Sequence, residues 1–384
     1  MKKLFALLMV AVLVFGLVAC GNNDPAPAPS PTPETTPDAT DPVETDPPEI
    51  DGDGYVIALI TDYGTIDDGS FNQGSWEGVV AFAEARGLAH RYIQPAAISD
   101  AAYLDAIELA VCDGAQIIVT PGFLFMASVY EAQSLFPDVR FVLIDAVPSP
   151  GGPAEAYIAQ NTVGVLYAEE ESGFLAGYAA VMEGHRSLGF IGGIPVPAVV
   201  AFGHGFLEGA EYAAEQLGLT AGEVSVNFAY AMTFSPAPEV QTMAASWFND
   251  GVEVIFAAAG GAGFSVMAAA DAEGGLVIGV DIDQAGASET VLTSALKGLQ
   301  ASVYNVLEDF FAGNFPGGQE KRFNAAMDGV GLPMNTSRFE NFTQTQYDAI
   351  FAQLASDAIT VNFDLEYNDG STIELSLVTL ISIG

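Results

Sequence analysis

The sequence is short of positive charge. Of its 384 residues only 10 are Lys or Arg, against 49 Asp or Glu, so the formal net charge is −39 at pH 7. Such a surface repels phosphate backbones, and a nucleic acid partner is not expected. A multiply charged anion is disfavoured as a ligand for the same reason. Solubility or adaptation to salt would also explain the acidity.

Histidine and the common catalytic motifs are scarce as well. The three histidines, His90, His185 and His204, are scattered along the chain. They do not have the spacing of zinc ligands, so no metal is expected. The sequence also contains no Gly-x-Ser-x-Gly nucleophile motif and no Gly-Lys-Ser/Thr phosphate loop. We therefore expect neither an enzyme nor a cofactor.

The N-terminus is typical of an export signal. Residues 1–20 contain a basic pair, an apolar run and then small residues, a pattern too short for a comfortable membrane span. The ending Leu17-Val18-Ala19-Cys20-Gly21 resembles a bacterial lipobox. This resemblance implies cleavage before Cys20 and acylation of its thiol. The alternative is an ordinary signal peptide with an incidental cysteine.

The only other cysteine, Cys112, is then left without a partner. An intramolecular disulfide is excluded on this interpretation. The surrounding residues, Ala110 to Gly114, resemble the end of a helix. We expect a buried, inert thiol there, rather than a reactive one.

Residues 21–54 predict a disordered tether. The stretch 21–50 holds nine prolines and seven acidic residues and almost nothing apolar. Such a segment cannot bury a core. Placed between a lipid anchor and a folded body, it would let the body reach a partner in the membrane.

From Tyr55 onward, short apolar runs alternate with helical patterns, which predicts parallel sheets covered on both faces. About ten strands are too many for one open sheet, so two doubly wound α/β domains are predicted. The predicted strands are Tyr55–Ile60, Gln116–Thr120, Val139–Ile144, Leu188–Ile191, Val224–Tyr230, Val254–Ala258 and Leu276–Val280. The predicted helices are Ser70–Arg86, Ser128–Phe136, Ser172–Glu183, Phe202–Leu217 and Glu239–Asn249.

Ligands of such folds bind beyond the carboxyl ends of the strands, which makes the residues there the candidate site. Asp62 could accept hydrogen bonds from a ligand or cap a helix. Phe71 and Phe234 could each stack on a planar base or pack in the core. Gly260 opens a glycine-rich stretch that would either admit a ligand to the backbone or form a tight turn.

Lys297 is one of only two lysines beyond the N-terminal signal, the other being Lys321. Apolar and small residues surround it in the sequence. An unpaired buried ammonium is costly, so we expect a carboxylate partner, for which Asp281 is the candidate. Such a pair could hold vicinal hydroxyls, or it could be a purely structural ion pair.

The stretch from Ile60 to Gly78, ITDYGTIDDGSFNQGSWEG, resembles the opening signature of the basic membrane protein (Bmp) family of substrate-binding lipoproteins. Further matches follow in the family's order, and the resemblance runs from about Tyr55 to beyond Lys297. They are Glu169–Gly177, Gly189–Gly193, Ala257–Gly263, Gly279–Gln284 and Leu292–Lys297.

The resemblance implies a type I periplasmic-binding-protein fold, with two lobes joined by a hinge of crossing strands. We expect residues 55–162 and 284–330 in the first lobe, and 163–283 and 331–384 in the second. It also implies a monomeric receptor, anchored through Cys20 on the extracytoplasmic face of the cell membrane. Its partners would be a small neutral ligand, such as a purine nucleoside, and an ABC permease.

The resemblance further implies a role for individual residues. Phe71 and Phe234 would stack on opposite faces of a purine, and Asp62 would hydrogen-bond the base. Asp281 and Lys297 would hold the ribose hydroxyls. Two other functions remain open at this point: a sensor subunit that presents ligand to a membrane receptor, and a nucleoside-processing enzyme.

Overall fold

The structure is a computed structural model that describes residues 56–151 and 155–382. The predicted signal peptide, the predicted lipidation site Cys20 and the predicted tether of residues 21–54 lie outside these ranges. Within them, no helix combines the length and the hydrophobicity needed to cross a membrane.

Strands and helices alternate along most of the described chain. In order they are β1 (Ile57–Ile60), α1 (Phe71–Arg86), β2 (His90–Ile93), α2 (Asp100–Cys112), β3 (Ile117–Pro121), α3 (Met126–Leu135), β4 (Arg140–Ile144), β5 (Thr162–Tyr167), α4 (Glu169–Glu183), β6 (Ser187–Gly192), α5 (Pro197–Gln216), β7 (Val224–Tyr230), α6 (Pro238–Asn249), β8 (Val254–Ala258), α7 (Gly263–Glu273), β9 (Leu276–Asp281), β10 (Val291–Lys297), α8 (Leu299–Phe311), β11 (Gln319–Phe323), β12 (Val330–Gly331), α9 (Gln344–Ala355) and β13 (Val378–Ser382).

These strands form two sheets of similar topology. The first has the order β11-β5-β4-β3-β1-β2, and all its strands are parallel. The second has the order β12-β10-β9-β8-β6-β7-β13, with β12 antiparallel to β10 and the other pairs parallel. The central strands are continuous apolar runs that are buried along their length, as in β1, β3 and β8. This is the predicted pair of doubly wound α/β layers.

Sheet membership changes later in the chain than the predicted lobe boundaries. Strand β5 belongs to the first sheet, although residues 163–167 were expected in the second lobe. Strand β10 belongs to the second sheet, although 284–330 was expected in the first lobe. The chain thus leaves the first sheet after β5, and within 284–330 it returns to that sheet only at β11, which is parallel to β5.

Glycines allow helices α4 and α5 to pack very closely. A Cβ added at Gly173 would lie 2.2 Å from the carbonyl oxygen of Phe202, and one at Gly177 would lie 2.1 Å from that of Phe206. On α5, Gly205 and Gly209 approach the backbone of α4 equally closely. Backbone-to-backbone contact of this kind fixes the position of α4, which follows directly on the crossing from the first sheet.

Cys112 is exposed, which contradicts the expected buried thiol. It is indeed the last residue of helix α2, but the buried residues of that helix are Tyr103, Ala106, Ile107 and Ala110. These follow a spacing of three to four residues, and position 112 falls outside that face.

Candidate functional site

The carboxyl ends of strands from both sheets open into one cavity of about 420 Å³. The six residues that the sequence predicted as ligand-binding all line this cavity: Asp62, Phe71, Phe234, Gly260, Asp281 and Lys297. Segments that are far apart in sequence meet here because parallel strands end at the same edge of a sheet. The volume is in the range of small-molecule sites.

The two candidate stacking residues come from different halves of the cleft. Phe71 is the first residue of α1, next to the first sheet, and Phe234 lies in the loop between β7 and α6 of the second. Both side chains are half-buried. A Cβ at Gly193 would lie 2.3 Å from the ring of Phe234, so the missing side chain at that glycine leaves the room that this ring occupies.

Asp62 does not cap helix α1. That role belongs to Asp68, which accepts hydrogen bonds from the backbone N–H groups of Ser70, Asn72 and Gln73. Asp62 Oδ1 instead accepts hydrogen bonds from the side-chain amide of Asn72 at 2.9 Å and from the backbone N–H of Gly64 at 3.2 Å. Burial raises the pKa of Asp62, although the Asn72 hydrogen bond opposes this. The half-buried carboxyl remains on the cavity lining.

Gly260 begins a short 3₁₀ turn that precedes helix α7. Its φ of 54° lies in the left-handed region, which favours glycine, so the tight turn that the sequence allowed for is present. The same residue lines the cavity and faces Phe234, with 3.5 Å between its ideal Cβ position and the ring. Gly260 therefore forms the tight turn and also brings its backbone to the cavity, so the two alternatives for this residue do not exclude each other.

Lys297 is buried among three carboxylates rather than paired with one. Its Nζ contacts Asp145 Oδ2 most closely, lies 3.1 Å from Glu169 Oε1, and is 3.9 Å from Asp281 Oδ1. Asp281, the predicted partner, is thus the most distant of the three. Its other oxygen accepts a hydrogen bond from the hydroxyl of Ser70. These contacts join elements of both sheets around one ammonium group.

Aromatic rings enclose the same ammonium group. Lys297 Nζ lies 5.0 Å from the ring centre of Phe71, 5.4 Å from that of Phe202 and 5.6 Å from that of Tyr167. Such contacts add cation–π attraction to the ionic pairing. Phe71 is therefore shared between the lysine and the cavity.

Burial dominates the protonation of this cluster. It raises the pKa of Asp145 to about 7 and that of Asp281 to about 6, although Lys297 opposes both shifts. Burial also raises the pKa of Glu169. For Lys297 itself burial lowers the pKa, but the three carboxylates outweigh this and hold the group protonated.

Three parts of the site were missed as ligands or partners by sequence reasoning. Asp145 directly follows the predicted strand Val139–Ile144 but was not named as a ligand-binding residue, and Glu169 was noted only as part of a family match. Phe202, which lines the cavity from helix α5, was assigned only as the start of a helix. The position of Asp145 could have identified it as a site residue, because it follows an apolar strand just as Asp281 ends one. The contact of Glu169 with Lys297 depends on how the two sheets meet.

The described residues contain no cluster of His, Cys, Asp or Glu side chains suited to a metal ion.

Comparison with known proteins identifies the family. The family model described as ABC transporter substrate-binding protein PnrA-like matches residues 55–363. The ABC transporter nucleoside-binding protein BmpA of Lactococcus lactis subsp. cremoris (strain MG1363) is 28% identical over 306 residues, covering 74% of this chain and 82% of that protein. Basic membrane protein A1 of Borrelia garinii subsp. bavariensis (strain ATCC BAA-2496 / DSM 23469 / PBi) is 27% identical over 317 residues, covering 81% and 89%.

Solved structures support the fold. An ABC transporter system solute-binding protein from Conexibacter woesei DSM 14684 superposes with a TM-score of 0.65 at 23% identity, covering 80% of this chain and 100% of that one. The type I periplasmic-binding-protein fold predicted from the sequence is thereby confirmed. Because the family model spans most of the folded chain, this protein belongs to the Bmp family of ABC transporter substrate-binding proteins.

Proposed function

We propose that this protein captures a purine nucleoside in the cavity between its two sheets and delivers it to an ABC permease. The observation that carries the proposal is the lining of that cavity, where aromatic rings and hydrogen-bonding groups from both sheets come together. The relative named as nucleoside-binding supports the choice of ligand class.

The aromatic part of the site suits a planar base. Phe71 and Phe234 approach the cavity from opposite halves, so a flat ring between them would contact both. Stacking on an aromatic side chain contributes about 1–3 kcal/mol per base. A base held in this way favours the conformation in which the two halves meet. Asp62 would accept hydrogen bonds from the N–H groups of the base.

The polar part of the site suits a sugar. Asp281 accepts and Lys297 donates, which is the combination that vicinal hydroxyls require. Gly260 offers backbone at the same edge of the cavity, without a side chain in the way. With both stacking faces and these hydrogen bonds, we expect a dissociation constant of about 1 µM or lower.

The N-terminal sequence supports a location outside the cytoplasm, at the cell membrane. The export signal of residues 1–20, the lipobox at Cys20 and the tether of residues 21–54 fit a receptor held on the extracytoplasmic face of the membrane. A receptor that is tethered but free to move can meet a permease in the same membrane.

Calorimetry with a panel of ligands tests the ligand class. Inosine, guanosine and adenosine should bind, while uridine, ribose and guanosine monophosphate should bind more weakly or not at all. The recovered nucleoside should be chemically unchanged, as a binding protein requires. Native mass spectrometry of the protein purified without added ligand provides an independent check. Equal affinity for ribose and for inosine would contradict the stacking role, and hydrolysed nucleoside would contradict the binding role.

A further inference from the structure

The charges around Lys297 do not balance. Three carboxylates lie within 4 Å of its ammonium group, and the exposed fractions of these side chains are 3% for Lys297, 11% for Asp145, and 9% for both Glu169 and Asp281. With every group ionised, the cluster would carry two uncompensated negative charges in a region with little water. That is costly unless a further positive charge enters.

The surroundings of the cluster increase this excess. The cavity lining contains five carboxylates, and Lys297 is the only cation among the described lining residues. The acidic lining residues are Asp62, Asp67, Asp68, Asp145 and Asp281. On the α4 side, Glu170 adjoins Glu169 but is paired with Arg322, so that arginine is already engaged. On the β5 side, the group that faces the cluster is the neutral hydroxyl of Tyr167, which bonds to Ser302.

The three carboxylates differ in how well they are compensated. Glu169 is the first residue of helix α4, where the helix dipole favours negative charge. Asp281 accepts the hydroxyl hydrogen bond of Ser70. Asp145 contacts Lys297 through Oδ2, but its Oδ1 is buried and accepts no hydrogen bond from the described residues. Asp145 is therefore the carboxylate whose protonation removes the least compensated of the three buried negative charges.

We propose that the Lys297 cluster takes up a proton when the cleft closes on its ligand, with Asp145 as the group that receives it. The inference rests on the proposed function, because it needs a ligand that closes this cleft. The raised pKa values of Asp145 and Asp281 agree with it. The proton is a second ligand of the same site, and it comes from solvent.

The sign of the effect follows from the geometry. Asp145 follows β4 in the first sheet, whereas Asp281 and Lys297 end strands of the second, so the cluster assembles only when the halves meet. Opening of the cleft admits water to the carboxylates, which lowers the pKa of Asp145 relative to the closed, ligand-filled form and releases part of the bound proton. A neutral ligand that excludes this water favours the protonated form. Ligand affinity then rises as the pH falls, by up to about tenfold per pH unit for one linked proton.

Calorimetry in several buffers tests the coupling. Inosine is titrated into the protein near neutral pH in phosphate, Hepes and Tris, which differ in their heat of ionisation. We expect the observed enthalpy to vary with the buffer in the direction of proton uptake. Asp145→Asn should abolish this dependence, and Asp138→Asn, at an exposed position outside the cavity, should retain it. Binding whose enthalpy is the same in every buffer, or that releases a proton, overturns the inference.

A ligand-independent measurement separates this inference from the choice of nucleoside. Aspartate carboxyl carbons are labelled with ¹³C and titrated by NMR in the free protein. We expect one resonance to titrate well above the ordinary aspartate value of about 4 and to be absent from Asp145→Asn. If no nucleoside binds, the proposed function fails, but this spectrum still tests whether Asp145 holds a proton near neutral pH. The absence of any Asp145-dependent resonance of this kind then overturns the inference.

Discussion

Asp145 and Asp281 occupy matching places in the two sheets and direct their carboxylates at the same lysine. Asp145 follows β4 and Asp281 ends β9, and each of these strands is the third in the order of its sheet. Both residues have a left-handed backbone, with φ of 61° and 68°. Few non-glycine residues adopt this conformation, and it tends to mark functional positions. The ammonium group of Lys297 therefore links the two halves.

Replacing Lys297 tests whether this link stabilises the fold. Lys297→Met leaves three buried carboxylates without their ammonium group, and we expect the free energy of unfolding to fall by about 3–5 kcal/mol. Urea unfolding measures the change. Lys321→Met is the matched control, because Lys321 forms a partly exposed pair with Asp309 and should cost at most about 1 kcal/mol. Similar losses in the two variants would argue against the buried cluster.

Replacing Phe71 tests stacking. Phe71→Ala should weaken binding of purine nucleosides by about 1–3 kcal/mol, since one face of the base loses its ring. Calorimetry measures the affinity, and far-UV circular dichroism checks the fold. Phe363→Ala serves as control, because Phe363 is an exposed ring outside the cavity. An unchanged affinity in Phe71→Ala would remove this ring from the site.

Gly193→Ala probes Phe234 without altering it. The added methyl group would lie 2.3 Å from the Phe234 ring, which must then move. We expect nucleoside affinity to fall about tenfold, or 1.4 kcal/mol, with little loss of stability. In Gly286→Ala the added Cβ meets nothing within 4 Å, so calorimetry should find that variant close to wild type. If Gly193→Ala binds as wild type does, Phe234 does not stack on the ligand.

The sequence was sufficient to predict the fold class and six residues of the cavity lining, but not the contacts across the cleft. Apolar runs that alternate with helices predict parallel sheets, and parallel sheets place strand ends such as Asp62 and Asp281 at one edge. Which carboxylate lies nearest to Lys297 depends on how the two sheets meet. The sequence therefore predicted Asp281, whereas Asp145 and Glu169 are closer.

The errors in element bounds have a similar origin. Helix α5 begins at Pro197, five residues before the predicted start at Phe202, because proline at the first helical position is compatible with a helix. Strand β2 was not predicted, since its sequence His90–Ile93 is polar and partly exposed rather than an apolar run. Strand β11, Gln319–Phe323, was missed for the same reason. Both lie at edges of the first sheet, where one side has no neighbouring strand.

The pH dependence of stability tests the protonation of Asp145 apart from ligand binding. Its pKa is about 7 in the folded protein and about 4 in an unfolded chain, so between these values the folded state holds the extra proton. The stability from this group is therefore lost as the pH rises through that window, by at most about 1.4 kcal/mol per pH unit. Urea unfolding from pH 5 to 8 should show a flatter dependence for Asp145→Asn than for wild type. Parallel curves for the two proteins would contradict the raised pKa.

At the contact between α4 and α5 we expect Gly→Ala to destabilise the protein, whereas helix propensity alone predicts that it stabilises. In an unhindered helix, Gly→Ala stabilises by about 1 kcal/mol. At Gly177 the new methyl group would lie 2.1 Å from the carbonyl oxygen of Phe206, and backbone cannot rotate away. We expect Gly177→Ala to lower the free energy of unfolding by about 1–3 kcal/mol, measured in urea.

Gly263 is the matched control for this prediction. It begins helix α7, and a Cβ there would meet its nearest neighbour at 3.8 Å, an ordinary contact. Gly263→Ala should therefore be neutral or slightly stabilising. A stabilised Gly177→Ala variant would mean that α4 and α5 can separate at little cost. Because α4 follows directly on the crossing from β5 and carries Glu169 at its first position, such freedom would also loosen the Lys297 cluster.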